Sequence, residues 1–301
     1  MDKNSTDTGF TLPYVSDEYS KNGTVCVRIE NCGNFSVHKT FDCGQAFRFD
    51  PVGNCDSFSG IAFGRKITFS DLGGGVIEIE NSTSDEFENV WMKYLSLDVD
   101  YGKADRAIID AMPNERDRAE MTAAVNSGQG IRILRQEPFE TLISFIISQN
   151  NNIPRIKKII SAMCGMYGKN NAFPTADALV EAGEDGIFAL KTGFRAKYIY
   201  DAALKVKTGE IVLDDIAECD DYDKCTDILC SIKGVGPKVS SCVLLFGFGK
   251  TEAFPVDVWM KKSLALHYPN GFDASALGKY AGIAQQYMFY HERWINSQSK
   301  N

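Results

Sequence analysis

Two hydrophobic periods divide the chain. Thr24-Val25-Cys26-Val27-Arg28-Ile29 and Val76-Ile77-Glu78-Ile79-Glu80 alternate with period two, the pattern of a half-buried strand. Between them, short aromatic runs around Phe47, Phe58, Phe63 and Phe69 are broken by turns such as Asp71-Leu72-Gly73-Gly74. No helical crossover separates these runs, so they predict an antiparallel sheet. Near Ser84 the pattern changes to helices. Ser84-Asp85-Glu86-Phe87 reads as an N-cap followed by an acidic first turn, and Pro138 opens a buried helix running from Phe139 to Ile147. Further helices are predicted over residues 154–166, 175–182, 196–207, 222–231, 237–247 and 258–267, with a last one from about Asp273 to Ile295. The fold class expected is α+β. A twisted antiparallel β-sheet with the first helices occupies residues 10–130, and an all-helical body with a central cleft occupies 131–296.

Composition changes this picture little. With 44% hydrophobic and 24% charged residues, the 301-residue chain is an ordinary globular one with enough length for a sizeable core. The net charge of −8 argues against a wholly basic nucleic-acid binder, but binding depends on one face. Basic residues do cluster, at Arg132, Arg135, Arg155, Lys157 and Lys158, and again at Lys191, Arg195 and Lys197. The nine cysteines lack a disulfide-scaffold spacing, and Met1-Asp2-Lys3-Asn4-Ser5 has no apolar signal core. A reduced, cytosolic protein without a membrane segment is expected. Cys219, Cys225 and Cys230 are spaced loosely like metal ligands, but no fourth cysteine follows beyond Cys242, which counts against zinc or an iron–sulfur cluster.

The chemistry concentrates in Leu229-Cys230-Ser231-Ile232-Lys233-Gly234-Val235-Gly236-Pro237-Lys238-Val239-Ser240. A helix ends, Gly234 and Gly236 permit a tight turn, and Pro237 stands where a first helical residue belongs. This is a helix–hairpin–helix, whose glycines let backbone approach a phosphate while free N–H groups face the anion. A glycine-rich turn without a ligand has the same local pattern. Lys238 lies one residue into the next helix, where the macrodipole disfavours a cation and favours the neutral amine that a nucleophile requires. A lysine reaching a phosphate or solvent would look similar. Asp257, in Phe254-Pro255-Val256-Asp257-Val258, is placed to cap another helix and keep its carboxylate ionised; a plain N-cap is the simpler account of it alone. The two together are more specific than either.

Gly-Val-Gly-Pro-Lys followed by Pro-Val-Asp resembles the signature of the lysine-bearing branch of the helix–hairpin–helix DNA glycosylases. Three further segments resemble the 8-oxoguanine DNA glycosylase family in particular: Cys43-Gly44-Gln45-Ala46-Phe47-Arg48, Ser148-Gln149-Asn150-Asn151-Asn152-Ile153, and Gly282-Ile283-Ala284-Gln285 with Phe289. The matches run in family order from about residue 41 to residue 289. Ala46 departs from the family's usual Ser, Phe194 from its more frequent Tyr, and Trp259 from the His of many members.

The resemblance implies a bifunctional enzyme that flips 8-oxoguanine out of duplex DNA, preferably opposite cytosine, excises it through a Lys238 Schiff base and nicks the strand by β-elimination. Asp257 would stabilise developing positive charge. It implies a base pocket of Gly44, whose carbonyl would accept the N7 hydrogen of the lesion, with Cys242, Gln285, Phe289 and Trp259. Asn150 would fill the vacated space, Phe194 would wedge between base steps, and Arg155 and Arg195 would read the opposite cytosine. Gly234 and Gly236 would approach the DNA backbone. A monovalent cation on the carbonyls of Cys230, Ile232 and Val235 is implied by the resemblance only; no redox cofactor or catalytic metal is. The partner expected is damaged double-stranded DNA and the chain a monomer, located in a bacterial cytoplasm with the nucleoid, or in a nucleus. Two other readings stay open: a sister glycosylase for another lesion, against which the missing C-terminal cysteine cluster and the β-rich N-terminal portion count, and a non-catalytic DNA-binding module.

Overall fold

A computed structural model describes residues 9–53 and 56–298, with side chains described as far as Arg293; Met1–Ser5 lie outside the described residues. Strands β1 (Tyr14–Lys21), β2 (Thr24–Glu30), β3 (Phe49–Val52), β4 (Ser57–Ala62), β5 (Arg65–Gly73) and β6 (Val76–Glu80) form one sheet. Its order is β1-β2-β6-β5-β4-β3, every pair antiparallel. Alternation places the apolar residues in register. Ile79 pairs with Val27 on one side and Phe69 on the other, and all three are fully buried. A short helix α1 (Val37–Asp42), capped by Ser36, lays Phe41 on this face, 4.4 Å from the Phe49 ring and 5.3 Å from Phe69.

Helices then follow: α2 (Ser84–Glu86), α3 (Met92–Tyr94), α4 (Tyr101–Asp110), α5 (Glu115–Gly128), α6 (Pro138–Ser148), α7 (Ile153–Tyr167), α8 (Ala176–Ile187), α9 (Ala196–Lys207), α10 (Leu213–Glu218), α11 (Tyr222–Cys230), α12 (Pro237–Phe248), α13 (Val258–His267) and α14 (Ala281–Gln298). The cap expected at Ser84 is one residue earlier. Thr83 Oγ1 accepts Glu86 N–H at 3.3 Å and Glu86 Oε2 accepts Thr83 N–H at 3.2 Å, a reciprocal pair that Ser84 cannot make. The single helix expected from Asp273 is two pieces. Gly278 takes φ 51 and ψ −131, so a 3₁₀ turn at Ala274–Tyr280 ends there before α14 begins.

Two apolar cores result. The sheet core gathers Val27 to Leu97 with Leu134, while α4 and α5 pack into the larger helical core with α6, α12 and α14. The close crossing of α5 on α14 requires Gly128, where a Cβ would stand 2.4 Å from Tyr287 Cδ1. Two irregular stretches share the seam between the cores. Cys43 and Phe47 join the helical core but Ala46 the sheet core; Ile131 and Ile133 join the helical core but Leu134 the sheet core.

Arg48 crosses the same seam to Glu140 on α6 at 3.0 Å, both side chains largely buried. Burial outweighs the pull of Arg48 and raises the Glu140 carboxyl from 4.5 to about 7. The folded side chain therefore keeps a proton that the unfolded one has lost. Its contribution to stability is full below about pH 4.5 and is lost as pH rises through about 7. Glu140→Gln removes this dependence. In urea titrations the stability of the wild type relative to the variant should fall between pH 5 and pH 8; an unchanged gap would contradict the assignment.

Candidate active site

The hairpin forms as its sequence dictates. Gly234 adopts φ +75, and a Cβ there would lie 2.3 Å from the Tyr198 ring, so both conformation and space require glycine. Gly236 is the N-cap of α12, Pro237 its first residue and Lys238 its second. Asp257 caps α13, its Oδ1 accepting Met260 N–H at 2.7 Å. Two helix N-termini thus present an amine and a carboxylate to one cavity.

That cavity holds about 380 Å³ of empty space, open mouth included, and is lined by Lys238, Asp257, Gly44, Cys242, Gln285 and Phe289. Those six are the sequence-predicted catalytic and pocket residues except Trp259. The Lys238 ammonium lies 5.4 Å from the centre of the Phe145 ring, a contact not foreseen in the sequence. One turn along α12, Cys242 is buried, and burial raises its thiol while the hydrogen-bonded Lys238 pulls it down and Asp257 pushes it up. Both charges therefore act at one point. Gly44, at φ +84, stands where a Cβ would meet Phe289 Cε1 and Ile153 Cδ1 at 3.9 Å, so its backbone forms cavity wall beside the Phe289 ring. Gln286 Nε2 donates to Gln285 Oε1 at 3.0 Å, and Gln286 Oε1, also at the cavity wall, is buried without a hydrogen-bond partner.

Trp259 differs from expectation. It is 62% exposed, outside the cavity lining, with Lys262 Nζ 5.8 Å from its ring centre. As the second residue of α13 it faces solvent, while Met260 takes the buried side.

A second group lies around the asparagine turn. Asn150 is exposed with φ 46, and Asn152 caps α7 by accepting Arg155 N–H at 3.0 Å. Phe194 is half exposed, and Arg155 reaches the Lys191 carbonyl at 3.2 Å. Arg195 was expected to offer its guanidinium to a base. The structure instead buries it to 2% exposure beneath the turn, donating to the carbonyls of Gln149 at 2.8 Å, Asn150 at 2.9 Å and Thr192 at 3.0 Å. Three carbonyls at the end of α6 and before Gly193 lack helical partners, and a planar fork satisfies them together. The guanidinium also lies 4.4 Å from the Phe194 ring centre. Tyr198 continues this contact, edge-on to Phe194 at 5.9 Å and against Gly234, so the hairpin and Phe194 share one aromatic support.

Cys230, Ile232 and Val235 lie in the hairpin as expected, but the Ile232 carbonyl already accepts Val235 N–H at 3.1 Å. A cation would have to use that oxygen's second lone pair, so the fit is partial. The loose cysteine group holds no metal arrangement among the described residues; the Cys225 thiol donates to the carbonyls of Cys219 and Ile216. Among the described residues no helix is long and apolar enough to cross a membrane.

With this geometry described, comparison with known proteins defines first a class. Residues 143–274 match the model of the HhH-GPD superfamily of base excision DNA repair proteins. Residues 28–142, from the end of β2 through strands β3–β6 to the start of α6, match the 8-oxoguanine DNA glycosylase N-terminal domain. A probable N-glycosylase/DNA lyase of Methanothermobacter thermautotrophicus is 31% identical over 212 residues, 58% of this chain and 67% of that protein. An N-glycosylase/DNA lyase of Saccharomyces cerevisiae is 37% identical over 190 residues, 57% of this chain and 49% of that protein. The chain thus spans about half the length of the yeast relative. A crystal structure of the Clostridium acetobutylicum 8-oxoguanine glycosylase/lyase, bound to double-stranded DNA containing cytosine opposite 8-oxoguanine, is 37% identical. It superposes with a TM-score of 0.82, covering 94% of this chain and 99% of that one. The chain belongs to the 8-oxoguanine DNA glycosylase family.

The buried Arg195 fork makes a stability prediction. Arg195→Ala should lower the unfolding free energy by about 2–4 kcal/mol, and Arg195→Lys should recover only part, because one ammonium cannot span three carbonyls. Urea unfolding checks this, and a loss for the alanine variant below about 0.5 kcal/mol would contradict the strut.

Proposed function

We propose that this protein removes 8-oxoguanine from duplex DNA, preferably opposite cytosine, and then cleaves the strand at the resulting site. The single observation that carries this reading is the convergence of Lys238 and Asp257 on one cavity walled by the Gly44 backbone and the Phe289 ring. Lys238 and Asp257 line a cavity recessed among side chains, where a base stacked within a duplex cannot reach, so the nucleotide must leave the helix to enter. Phe194 and Asn150 are exposed on adjoining turns, where a ring can hold the vacated step open and an amide can occupy the gap.

Recognition follows from base chemistry. Guanine carries a lone pair at N7, whereas 8-oxoguanine carries a hydrogen there; a backbone carbonyl accepts the second and repels the first. The Gly44 carbonyl serves that role, with Phe289 stacked on one face of the base and Cys242 on the other. Gln285 pairs with the base edge. Arg155 reads the opposite cytosine, and Arg195 joins it only by giving up the carbonyls it holds in the unbound protein.

In the reaction Lys238, having given up a proton, attacks the sugar C1′ with its lone pair. The C1′–N9 bond breaks, and the base departs with that electron pair and takes a proton. Asp257, fixed by its helix cap, stabilises the positive charge that develops on the sugar. Opening of the ring at O4′ gives a Schiff base between Nζ and C1′. Loss of a C2′ proton then expels the 3′ phosphate by β-elimination, and water releases the lysine. No step needs a metal or redox cofactor. The protein acts as a monomer on double-stranded DNA, in a bacterial cytoplasm or a nucleus, wherever that DNA lies.

Borohydride reduction should trap a covalent complex between wild type and an 8-oxoguanine duplex. Lys238→Gln should abolish trapping, and Asp257→Asn should slow base excision about a hundredfold or more while leaving duplex affinity nearly unchanged. Undiminished trapping by Lys238→Gln would overturn the nucleophile.

A further inference from the structure

We propose that Gln45 is a positioning residue that aims the Gly44 carbonyl at the lesion and so sets discrimination against guanine. The inference rests on the reading of that carbonyl as the acceptor for the N7 hydrogen.

The Gly44 carbonyl belongs to the peptide unit joining Gly44 to Gln45. Gly44 itself, at φ +84 without a side chain, offers little to hold that unit, since glycine turns among conformations at low cost. Whatever fixes the peptide must act from the Gln45 side. Gln45 is 1% exposed, and its amide is fully engaged. Nε2 donates to the carbonyls of Thr40 at 2.9 Å and Arg132 at 2.8 Å, with the Cys43 sulfur at 3.3 Å. Oε1 accepts Leu134 N–H at 2.9 Å, and the Gln45 carbonyl accepts Gln136 Nε2 at 2.8 Å. Thr40 strengthens the same tie, its hydroxyl accepting Arg132 N–H at 3.1 Å and donating to the Gly130 carbonyl at 3.3 Å.

These bonds join the end of α1 to the irregular stretch 131–136, the two chains that share the seam between the cores. Neither stretch belongs to a strand or helix that would fix its peptides, so the glutamine amide does so. A carboxylate could not donate to Thr40 and Arg132, and an apolar side chain would take the amide partners from the Arg132 carbonyl and Leu134 N–H and leave the Thr40 carbonyl with only the weak Cys43 thiol donor at 3.2 Å. Gly44, which carries that carbonyl, lies on the cavity wall beside Phe289. A rotation of the peptide unit would carry the acceptor away from N7 without touching Lys238 or Asp257.

Positioning and general stapling of the fold predict different losses. Base excision needs the Gly44 carbonyl; cleavage of a preformed abasic site needs the lysine and the DNA grip but no base. For Gln45→Met, single-turnover excision of 8-oxoguanine opposite cytosine should fall about tenfold to a hundredfold. Cleavage of an abasic duplex and affinity for it should stay within about twofold, and the preference for 8-oxoguanine over guanine should shrink. Gln136→Leu, which removes only the outer bond, should show a smaller fall with the same selectivity and decides the matter if Gln45→Met does not fold. Equal loss of both activities, or loss of neither, overturns the role of Gln45. A wild type that removes guanine as readily as 8-oxoguanine overturns instead the reading of Gly44 beneath it.

Discussion

Helix α12 packs closely on α6, and its Leu245 side chain seats against Gly282 of α14. A Cβ on Gly282 of α14 would stand 2.3 Å from Leu245 Cδ1 and 2.9 Å from the Ala253 carbonyl, and one on Gly247 would meet Thr141 and Pro138 of α6 at 3.2–3.3 Å. The close approach of Gly247 to α6 and the seat of Leu245 on Gly282 fix the position and rotation of α12. The rest of the site follows from that constraint. With α12 fixed, the Lys238 amine lies beside the Phe145 ring of α6, and Cys242 presents its thiol one turn deeper. Phe289 and Gln285, carried by α14, face the same cavity. The chain leaving α12 turns at Gly249 and reaches the start of α13 through Pro255, which brings Asp257 to the same cavity.

The sheet domain contributes one wall and is held to the helical body by polar ties through the seam as well as by apolar packing. Arg48 with Glu140 and the Gln45 amide both cross it. This explains why one cavity can include backbone from residue 44 and side chains from residue 289. The two cores meet at a boundary where the chain is irregular, and irregular backbone leaves peptide groups free of strand and helix partners. The overall negative charge is compatible with the proposed DNA binding, because Arg155, Lys191 and Lys197 near Phe194 are all exposed and Arg155 reaches the Lys191 carbonyl.

What could be read from the sequence divides along a physical line. Lys238 and Asp257 were legible because helix starts have local signatures: glycine before proline for one, an aspartate cap for the other. Strand alternation placed Ile79 and Val27 correctly for the same reason. The meeting of Gly44 with Phe289, so distant along the chain, has no local signal, and only family resemblance anticipated it. Arg195 looked like a free cation because its burial depends on the Gln149 and Asn150 carbonyls from another element. Trp259 was placed in the pocket by family resemblance, at the position where many members carry His, yet as the second residue of α13 it faces outward. Gln45 was invisible as a polar residue in a turn, since only the packed structure shows its amide fully used. The break at Gly278 was missed because apolar spacing continues through it.

The family match of the N-terminal portion weakens the sister-glycosylase reading, and the Lys–Asp cavity weakens that of a passive DNA-binding module. The most direct test of the whole account is a cleavage panel with purified protein on duplexes carrying 8-oxoguanine opposite each of the four bases, with undamaged guanine as control. The account predicts excision and strand cleavage fastest for 8-oxoguanine opposite cytosine and negligible action on guanine. Comparable cleavage at guanine, or none at 8-oxoguanine opposite any base, would contradict it.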